Sequence, residues 1–135
     1  MKTAEITYLG NLSTVATHKP SGKQIFTDAP TDNQGKGEAF SPTDLLSTSL
    51  GCCMLTIMGI IGSRHNLDIT GTRIEITKKM ADNPRRVVEI IVEMTLPKIY
   101  SAKETELLEH AARTCPVAQS LHPTIKQTIS FTYLK

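Results

Sequence analysis

The sequence has few aromatic residues and no run of like charge. It contains no Trp, three Tyr and three Phe, so it offers few rings on which nucleic-acid bases could stack. The formal net charge is +2, and neither a basic stripe nor an acidic tail is present. We therefore expect no nucleic-acid partner. With 135 residues, the chain is expected to form one domain over residues 1–135.

Cysteine is also scarce. The chain has three cysteines, an odd number that argues against a framework of structural disulfides. Segment 1–15 lacks an apolar run long enough for a signal peptide, so we expect a cytoplasmic protein whose thiols are kept reduced. Each cysteine is then either a small core residue or a reactive group.

One apolar segment, 45–62, carries no charge and reaches the length of about 18 residues at which a membrane span is considered. It is rich in Ser, Thr and Gly, and no aromatic belt flanks it. We interpret it as a helix buried in protein, which must be apolar on nearly all sides. We therefore expect no membrane partner.

Alternation of apolar and polar residues predicts the strands of an α+β fold. Three N-terminal strands are expected over 4–8, 12–17 and 23–27, followed by a long loop over 29–40. A β-hairpin with strands over 69–80 and 86–96, and a last strand over 125–133, follow from the same pattern.

Capping signals predict where the helices begin and end. Ser41 is a good N-cap and Pro42 suits the first helical position, so a long helix is expected to start there and to end near Asn66. A second helix is expected to open at Ser101, because Glu104 completes the spacing of a capping box.

The cysteines are the candidates for chemistry. Cys52 and Cys53 are neighbours on the long helix, so their side chains point about 100° apart and do not form a pair. No C-x-x-C motif occurs and the four His are scattered, so the sequence supports neither a zinc site nor another metal or cofactor. One of the two adjacent thiols could still face Cys115 from elsewhere in the chain.

Cys115 precedes Pro116 and is a plausible N-cap of a short helix. A thiol at that position is expected to have a lowered pKa, because the helix dipole and free N–H groups favour the thiolate. The alternative is that Cys115 is a small core residue that continues the apolar face of the preceding helix.

Two segments, SPTDLLSTSLGCC at 41–53 and TCPVAQSL at 114–121, resemble the OsmC/Ohr family of bacterial peroxide-detoxifying proteins. In that family, a helix that starts at an N-P-x-x-L-type motif carries the reacting cysteine, and a C-P-V segment holds the second one. The resemblance assigns these roles to Cys53 and Cys115. It also implies the OsmC-like fold, with antiparallel sheets packed around a long central helix in an intertwined homodimer whose sites lie at the dimer interface.

The resemblance implies a thiol-dependent peroxidase. The Cys53 thiolate would attack an organic hydroperoxide, Cys115 would form a disulfide with the product, and an external dithiol or lipoyl group would reduce it. Apolar side chains around Cys53 would favour organic hydroperoxides over hydrogen peroxide. The candidate pocket-lining residues are Thr43, Leu50, Met54, Ile57 and Met58.

The sequence departs from the family at the charges that activate the thiol. Better-known members use an Arg and a Glu, whereas here Thr43 occupies the Glu position and no Arg precedes Arg64. Lysine could substitute for the Arg, but it lacks the planar fork of a guanidinium. Each substitute could equally be a solvated surface group. The candidates for the activating charges are Lys19, Lys23, Lys36, Glu38 and Asp44.

Two other functions remain open. The same apolar interface pocket could belong to a non-catalytic protein that binds a small hydrophobic ligand, or the thiol pair could be a redox sensor. A Cys–His hydrolase is poorly supported, because His110 and His122 flank Cys115 without an evident orienting group or oxyanion site.

Overall fold

The computed structural model describes residues 1–135 and confirms the α+β class. The chain forms two compact units, Met1–Leu46 and Ser47–Lys135. Because this division falls within the long helix, the single domain over residues 1–135 stays a prediction. In chain order the elements are β1 (Ala4–Gly10), β2 (Ser13–His18), β3 (Gln24–Asp28), α1 (Pro42–Arg64), β4 (Arg73–Ala81), β5 (Arg86–Leu96), α2 (Ala102–Arg113), α3 (Pro116–Ser120) and β6 (Lys126–Tyr133).

The first unit contains an antiparallel sheet in the order β1-β2-β3. Ile6, Ala16 and Ile25 lie opposite one another across the three strands, so they share one face of the sheet. Tyr8 lies two residues beyond Ile6 and projects to the same side. Ala16 is half-buried, whereas Ile6, Tyr8 and Ile25 are exposed in the single chain, with Ile6 at 68% of its full exposure.

The loop between β3 and α1 is closed at its base by Asp28. The Asp28 carboxylate accepts hydrogen bonds from the Ser13 hydroxyl and the Glu38 N–H. Gly35 is required for this closure, because a Cβ at that position would overlap the carbonyl group of Ala29. The loop predicted from its composition is therefore ordered by specific contacts.

Both ends of α1 match the capping signals. The Ser41 hydroxyl accepts a hydrogen bond from the Asp44 N–H at 3.0 Å, and the Asp44 carboxylate accepts one from the Ser41 N–H at 2.9 Å. At the other end, Asn66 adopts a left-handed conformation and the Leu67 N–H donates to the Gly62 carbonyl. This is a Schellman-type termination.

The second unit contains a mixed sheet in the order β4-β5-β6. Strand β5 pairs antiparallel with β4 and parallel with β6, so the prediction of purely antiparallel sheets is wrong at this position. The chain between β5 and β6 carries α2 and α3. Such a crossover returns the chain to the same end of the sheet, which is the condition for parallel pairing.

Strand β4 begins four residues later than predicted. The segment from Ile69 to Thr72 forms a turn, in which the Thr72 N–H donates to the Ile69 carbonyl. Gly71 has a φ of +94°, which lies outside the extended conformation of a strand.

Helix α1 packs one face on the second sheet. Gly51 allows this approach, because a Cβ there would already lie 3.3 Å from the side chains of Ile74 and Ile76. The opposite face is exposed in the single chain, because a three-stranded sheet covers only one stripe of a helix. Burial of α1 on nearly all sides therefore stays a prediction that depends on the expected dimer. The fully buried core residues of this unit are Leu50, Met54, Met58, Ile90, Val92, Leu96, Leu108, Ala112 and Cys115.

By length and composition alone, α1 would qualify as a membrane span, and a third of its most apolar window (33%) is buried. Core helices of soluble proteins satisfy the same criteria, so this is weak support for a span. The buried residues of α1, which include Leu50, belong to the core of the second unit.

Candidate active site

The structure brings Cys53 and Cys115 into contact within the second unit. Cys53 projects from the middle of α1 and is half-buried, whereas Cys115 is fully buried. Both are free thiols. Cys52 is exposed, as expected for a neighbour that points in another direction on the helix.

Cys115 is the N-cap of α3, with Pro116 in the first helical position, as the sequence predicts. Its pKa is nevertheless raised, first because burial disfavours the thiolate and also because the Cys53 thiol lies beside it. The N–H groups of Ala118 and Val117 act in the opposite direction, although neither makes a capping hydrogen bond with this sulfur. The prediction of a lowered pKa is wrong, since burial outweighs the amides.

The N–H of Val117 donates a hydrogen bond to the Sγ of Cys53, with the two atoms 3.4 Å apart. The sequence does not reveal this donor. The sequence pattern assigns the free amides of α3 to Cys115, the N-cap of that helix, and does not show that a thiol from α1 lies over the same turn. The position of Val117 immediately after Cys-Pro is the signal that could have suggested it.

The five predicted pocket-lining residues fall into different environments. Leu50, Met54 and Met58 are fully buried in the core, so they do not line an open surface of the single chain. Ile57 is half-buried and lies one helical turn after Cys53, on the same side of α1. Thr43 belongs to the first unit, where its hydroxyl lies 3.2 Å from that of Ser41.

The candidate lysines all belong to the first unit. Lys19 lies at the end of the β1–β2 pair and forms an ion pair with Glu5, with 4.0 Å between Nζ and Oε2. Such exposed pairs contribute little to stability. Lys23 and Lys36 are exposed, and Lys23 lines a cavity of about 340 Å³ on the first sheet.

The two candidate carboxylates also have places in the first unit. Asp44 is engaged at the start of α1, where its carboxylate accepts the Ser41 N–H. Glu38 is exposed, and its backbone N–H is held by Asp28. Asp44 therefore has a structural role that does not require Cys53.

The two histidines near Cys115 in sequence are exposed. His122 is paired locally, with its Nδ1 2.7 Å from the Thr124 hydroxyl. No group of three or more His, Cys, Asp or Glu side chains is placed to hold a metal ion. The chemistry that the geometry of the second unit allows is that of two thiols in contact.

The scaffold and the two apposed thiols define an α+β protein with a dithiol site. The chain belongs to the OsmC-like protein family, whose family model matches residues 35–130. This result confirms the resemblance found in the helix-start and C-P-V segments. A search of curated protein sequences finds no significant match.

Solved structures agree with this assignment. A protein from Psychrobacter arcticus 273-4, which carries a provisional name referring to osmotic stress and detoxification, is 51% identical, with a TM-score of 0.94 and coverage of 97% of this chain and 96% of that chain. An OsmC-like protein from Mycoplasma pneumoniae is 21% identical, with a TM-score of 0.79 and coverage of 99% of each chain. An organic hydroperoxide resistance protein from Legionella pneumophila is 11% identical, with a TM-score of 0.73 and coverage of 98% of each chain. The last two likenesses show the fold alone.

Proposed function

We propose that the chain is a thiol-dependent peroxidase that reduces organic hydroperoxides, with Cys53 as the attacking thiol and Cys115 as its partner. The observation that carries this proposal is the contact between a half-buried thiol and a fully buried one. The name of the Legionella relative, organic hydroperoxide resistance protein, points to the same substrate class.

The unequal burial of the two thiols supports their order of action. A hydroperoxide can reach Cys53, which keeps some exposure, but has no access to Cys115. The Cys53 thiolate attacks the distal oxygen, the O–O bond breaks, and the alkoxide takes up a proton and leaves as an alcohol. Cys53 becomes a sulfenic acid.

Cys115 then completes the cycle. It loses its proton and attacks the Cys53 sulfur, so that an S–S bond forms, the S–O bond breaks and water leaves. An external dithiol, such as a lipoyl group, reduces the disulfide by exchange and is itself oxidised. The contact between the two sulfur-bearing side chains means that this step needs little movement.

We also propose that the chain acts as a cytoplasmic homodimer without a resident cofactor. The apolar face of the first sheet, which includes Ile6 and Ile25, and the outward face of α1 are exposed in one copy. Exposed apolar faces of this kind are typical of interaction surfaces.

Substitution of each cysteine tests the assignment. We expect Cys53→Ser and Cys115→Ser to abolish steady-state reduction of tert-butyl or cumene hydroperoxide with a dithiol reductant. Cys52→Ser is the matched control and should retain turnover, because Cys52 is exposed and has no part in the contact. Full activity in Cys53→Ser would reject the proposal.

Intact-mass measurement separates the peroxidase from the binding protein. After one equivalent of hydroperoxide, the wild-type chain should lose two hydrogens, whereas Cys115→Ser should gain one oxygen as a trapped sulfenic acid. An unchanged mass in both chains would instead favour a non-catalytic protein that binds a small hydrophobic ligand.

A further inference from the structure

The amide of Val117 has no partner within its own helix. The first internal hydrogen bond of α3 runs from the Gln119 N–H to the Cys115 carbonyl, and the earlier amides of a helix are left free. Pro116 has no N–H, so Val117 supplies the first available donor of the turn. That donor points at the Sγ of Cys53, 3.4 Å away.

We infer that the backbone N–H of Val117 stabilises the thiolate of Cys53 by a hydrogen bond and thereby supplies part of the stabilisation that a neighbouring cation would give. A hydrogen bond to a charged acceptor is stronger than one to a neutral acceptor. The sulfur gains this difference only when it is ionised, so the bond favours the reactive form. The five-residue helix α3 has a small dipole of its own, and the effect therefore rests on this single bond.

The donor is held in place by three further contacts. The Ser120 hydroxyl donates to the Pro116 carbonyl at 2.8 Å, and the Leu121 N–H donates to the Val117 carbonyl at 3.1 Å. The Gln127 amide donates to the Ala118 carbonyl at 3.1 Å, which ties α3 to β6. A donor that is already oriented costs no reorganisation when charge develops on its acceptor.

Replacing the Val117 peptide bond by an ester tests the inference, because the ester removes the N–H and keeps the side chain. In a Cys52→Ser chain, the rate of Cys53 alkylation by iodoacetamide is measured across pH. We expect alkylation at neutral pH to slow about tenfold, as for the loss of a hydrogen bond to a charged group. The midpoint of the rate profile should move to higher pH.

An ester at Ala118 is the matched control. It removes another free amide of the same turn, one that faces Cys115 and makes no hydrogen bond with Cys53. The Val117 ester also weakens the Pro116 carbonyl as an acceptor, and Ser120→Ala removes the partner of that carbonyl alone. The Ala118 ester should not reproduce the shift in the pH profile of alkylation, and Ser120→Ala, which removes only one of the three contacts that hold the donor, should shift the profile by less than the Val117 ester does.

The inference rests on Cys53 being the reacting thiol, but alkylation needs no peroxide, so the two claims fail separately. A shifted alkylation profile without hydroperoxide turnover would sink the proposed function and keep the inference. An unshifted profile in the Val117 ester would overturn the inference even in an active enzyme.

Magnetic resonance gives a second measurement that needs no ester. The amide proton of Val117 should move downfield as the Cys53 thiol ionises in the wild-type chain, and should show no such step in Cys53→Ser at pH values where Cys115 stays protonated. A Val117 resonance that stays constant while Cys53 ionises would contradict the hydrogen bond, whether or not the ester variant folds.

Discussion

At the scale of single residues, the two thiols of the site differ in their access to solvent and in their hydrogen bonding. Cys115 is fully buried and its pKa is raised, so it is a neutral thiol at neutral pH. Cys53 keeps some exposure and accepts the Val117 N–H. These environments suit the proposed roles: Cys53 reacts with the oxidant, and Cys115 stays protonated beside it until the disulfide forms.

Selective alkylation follows from this difference. In the folded, reduced chain, iodoacetamide should modify Cys52 and Cys53 and leave Cys115 protected, because a buried thiol is both inaccessible and protonated. Peptide mapping by mass spectrometry checks this. The chain unfolded in guanidinium is the control and should be modified at all three positions; rapid labelling of Cys115 in the folded chain would contradict its burial.

The rate of disulfide formation should rise with pH. Attack on the Cys53 sulfenic acid needs the thiolate of Cys115, and burial raises the pKa of that thiol above its ordinary value. The thiolate population therefore keeps growing through the alkaline range. Quenching at timed intervals after one equivalent of hydroperoxide and measuring the intact mass gives the rate. A rate that is flat or falls above neutral pH would show that deprotonation of Cys115 is not limiting.

The same shift affects stability. The folded chain holds the proton on Cys115 more tightly than the unfolded chain does. This difference contributes to the free energy of unfolding, and the contribution is fully present below the pKa that Cys115 has in the unfolded chain. It is lost as pH rises through the higher folded pKa. Alkaline pH thus favours the attack of Cys115 on the oxidised Cys53 and lowers the stability of the fold that holds the two thiols together.

At the scale of elements, the end of α1 depends on a close approach of the backbone. The turn after the helix folds back so that the Leu67 carbonyl would lie 2.7 Å from a Cβ on Gly62. Any side chain at Gly62 therefore forces the turn away from its position and weakens the hydrogen bond from the Leu67 N–H.

Gly62→Ala should lower the free energy of unfolding by about 1–3 kcal/mol, because the strain of the displaced turn exceeds the gain in helix propensity. Urea unfolding followed by circular dichroism measures the change. Ser63→Ala, an exposed position in the same helical turn, is the control and should stay within about 0.5 kcal/mol of wild type. Equal or greater stability in Gly62→Ala would show that the turn moves freely.

The elements also show which features the sequence predicts and which it does not. The caps of α1 and α2 are local, and the Ser101–Glu104 capping box is present as predicted. The parallel pairing of β5 with β6 was missed, because periodicity identifies a strand without revealing its neighbour. The raised pKa of Cys115 and the donor from Val117 were missed for the same reason: both depend on what packs over α3, and spacing along the chain contains no such information.

At the scale of the whole molecule, one copy of the chain leaves a row of apolar side chains in water. Ile6 and Ile25 each pair with Ala16 on the middle strand, so all three residues face the same side of the first sheet. Tyr8 extends the row. Ile6 is 68% exposed, Tyr8 64% and Ile25 52%. Burying such a side chain completely is worth about 1.5–3 kcal/mol, so this row is a suitable contact surface for the proposed second copy.

A charge placed in this row should therefore break the proposed dimer. We expect wild type at micromolar concentration to show the mass of two chains by light scattering after gel filtration, and Ile6→Asp to show the mass of one, because a buried unpaired carboxylate is strongly unfavourable. Asn33→Asp is the matched control: it adds the same charge at an exposed turn of the first unit and should leave the mass of two chains. If wild type itself has the mass of one chain, the exposed row needs a different partner. If Ile6→Asp stays dimeric, the interface lies elsewhere, and the outward face of α1, where Ile60 is 45% exposed, is the next surface to test with a charge.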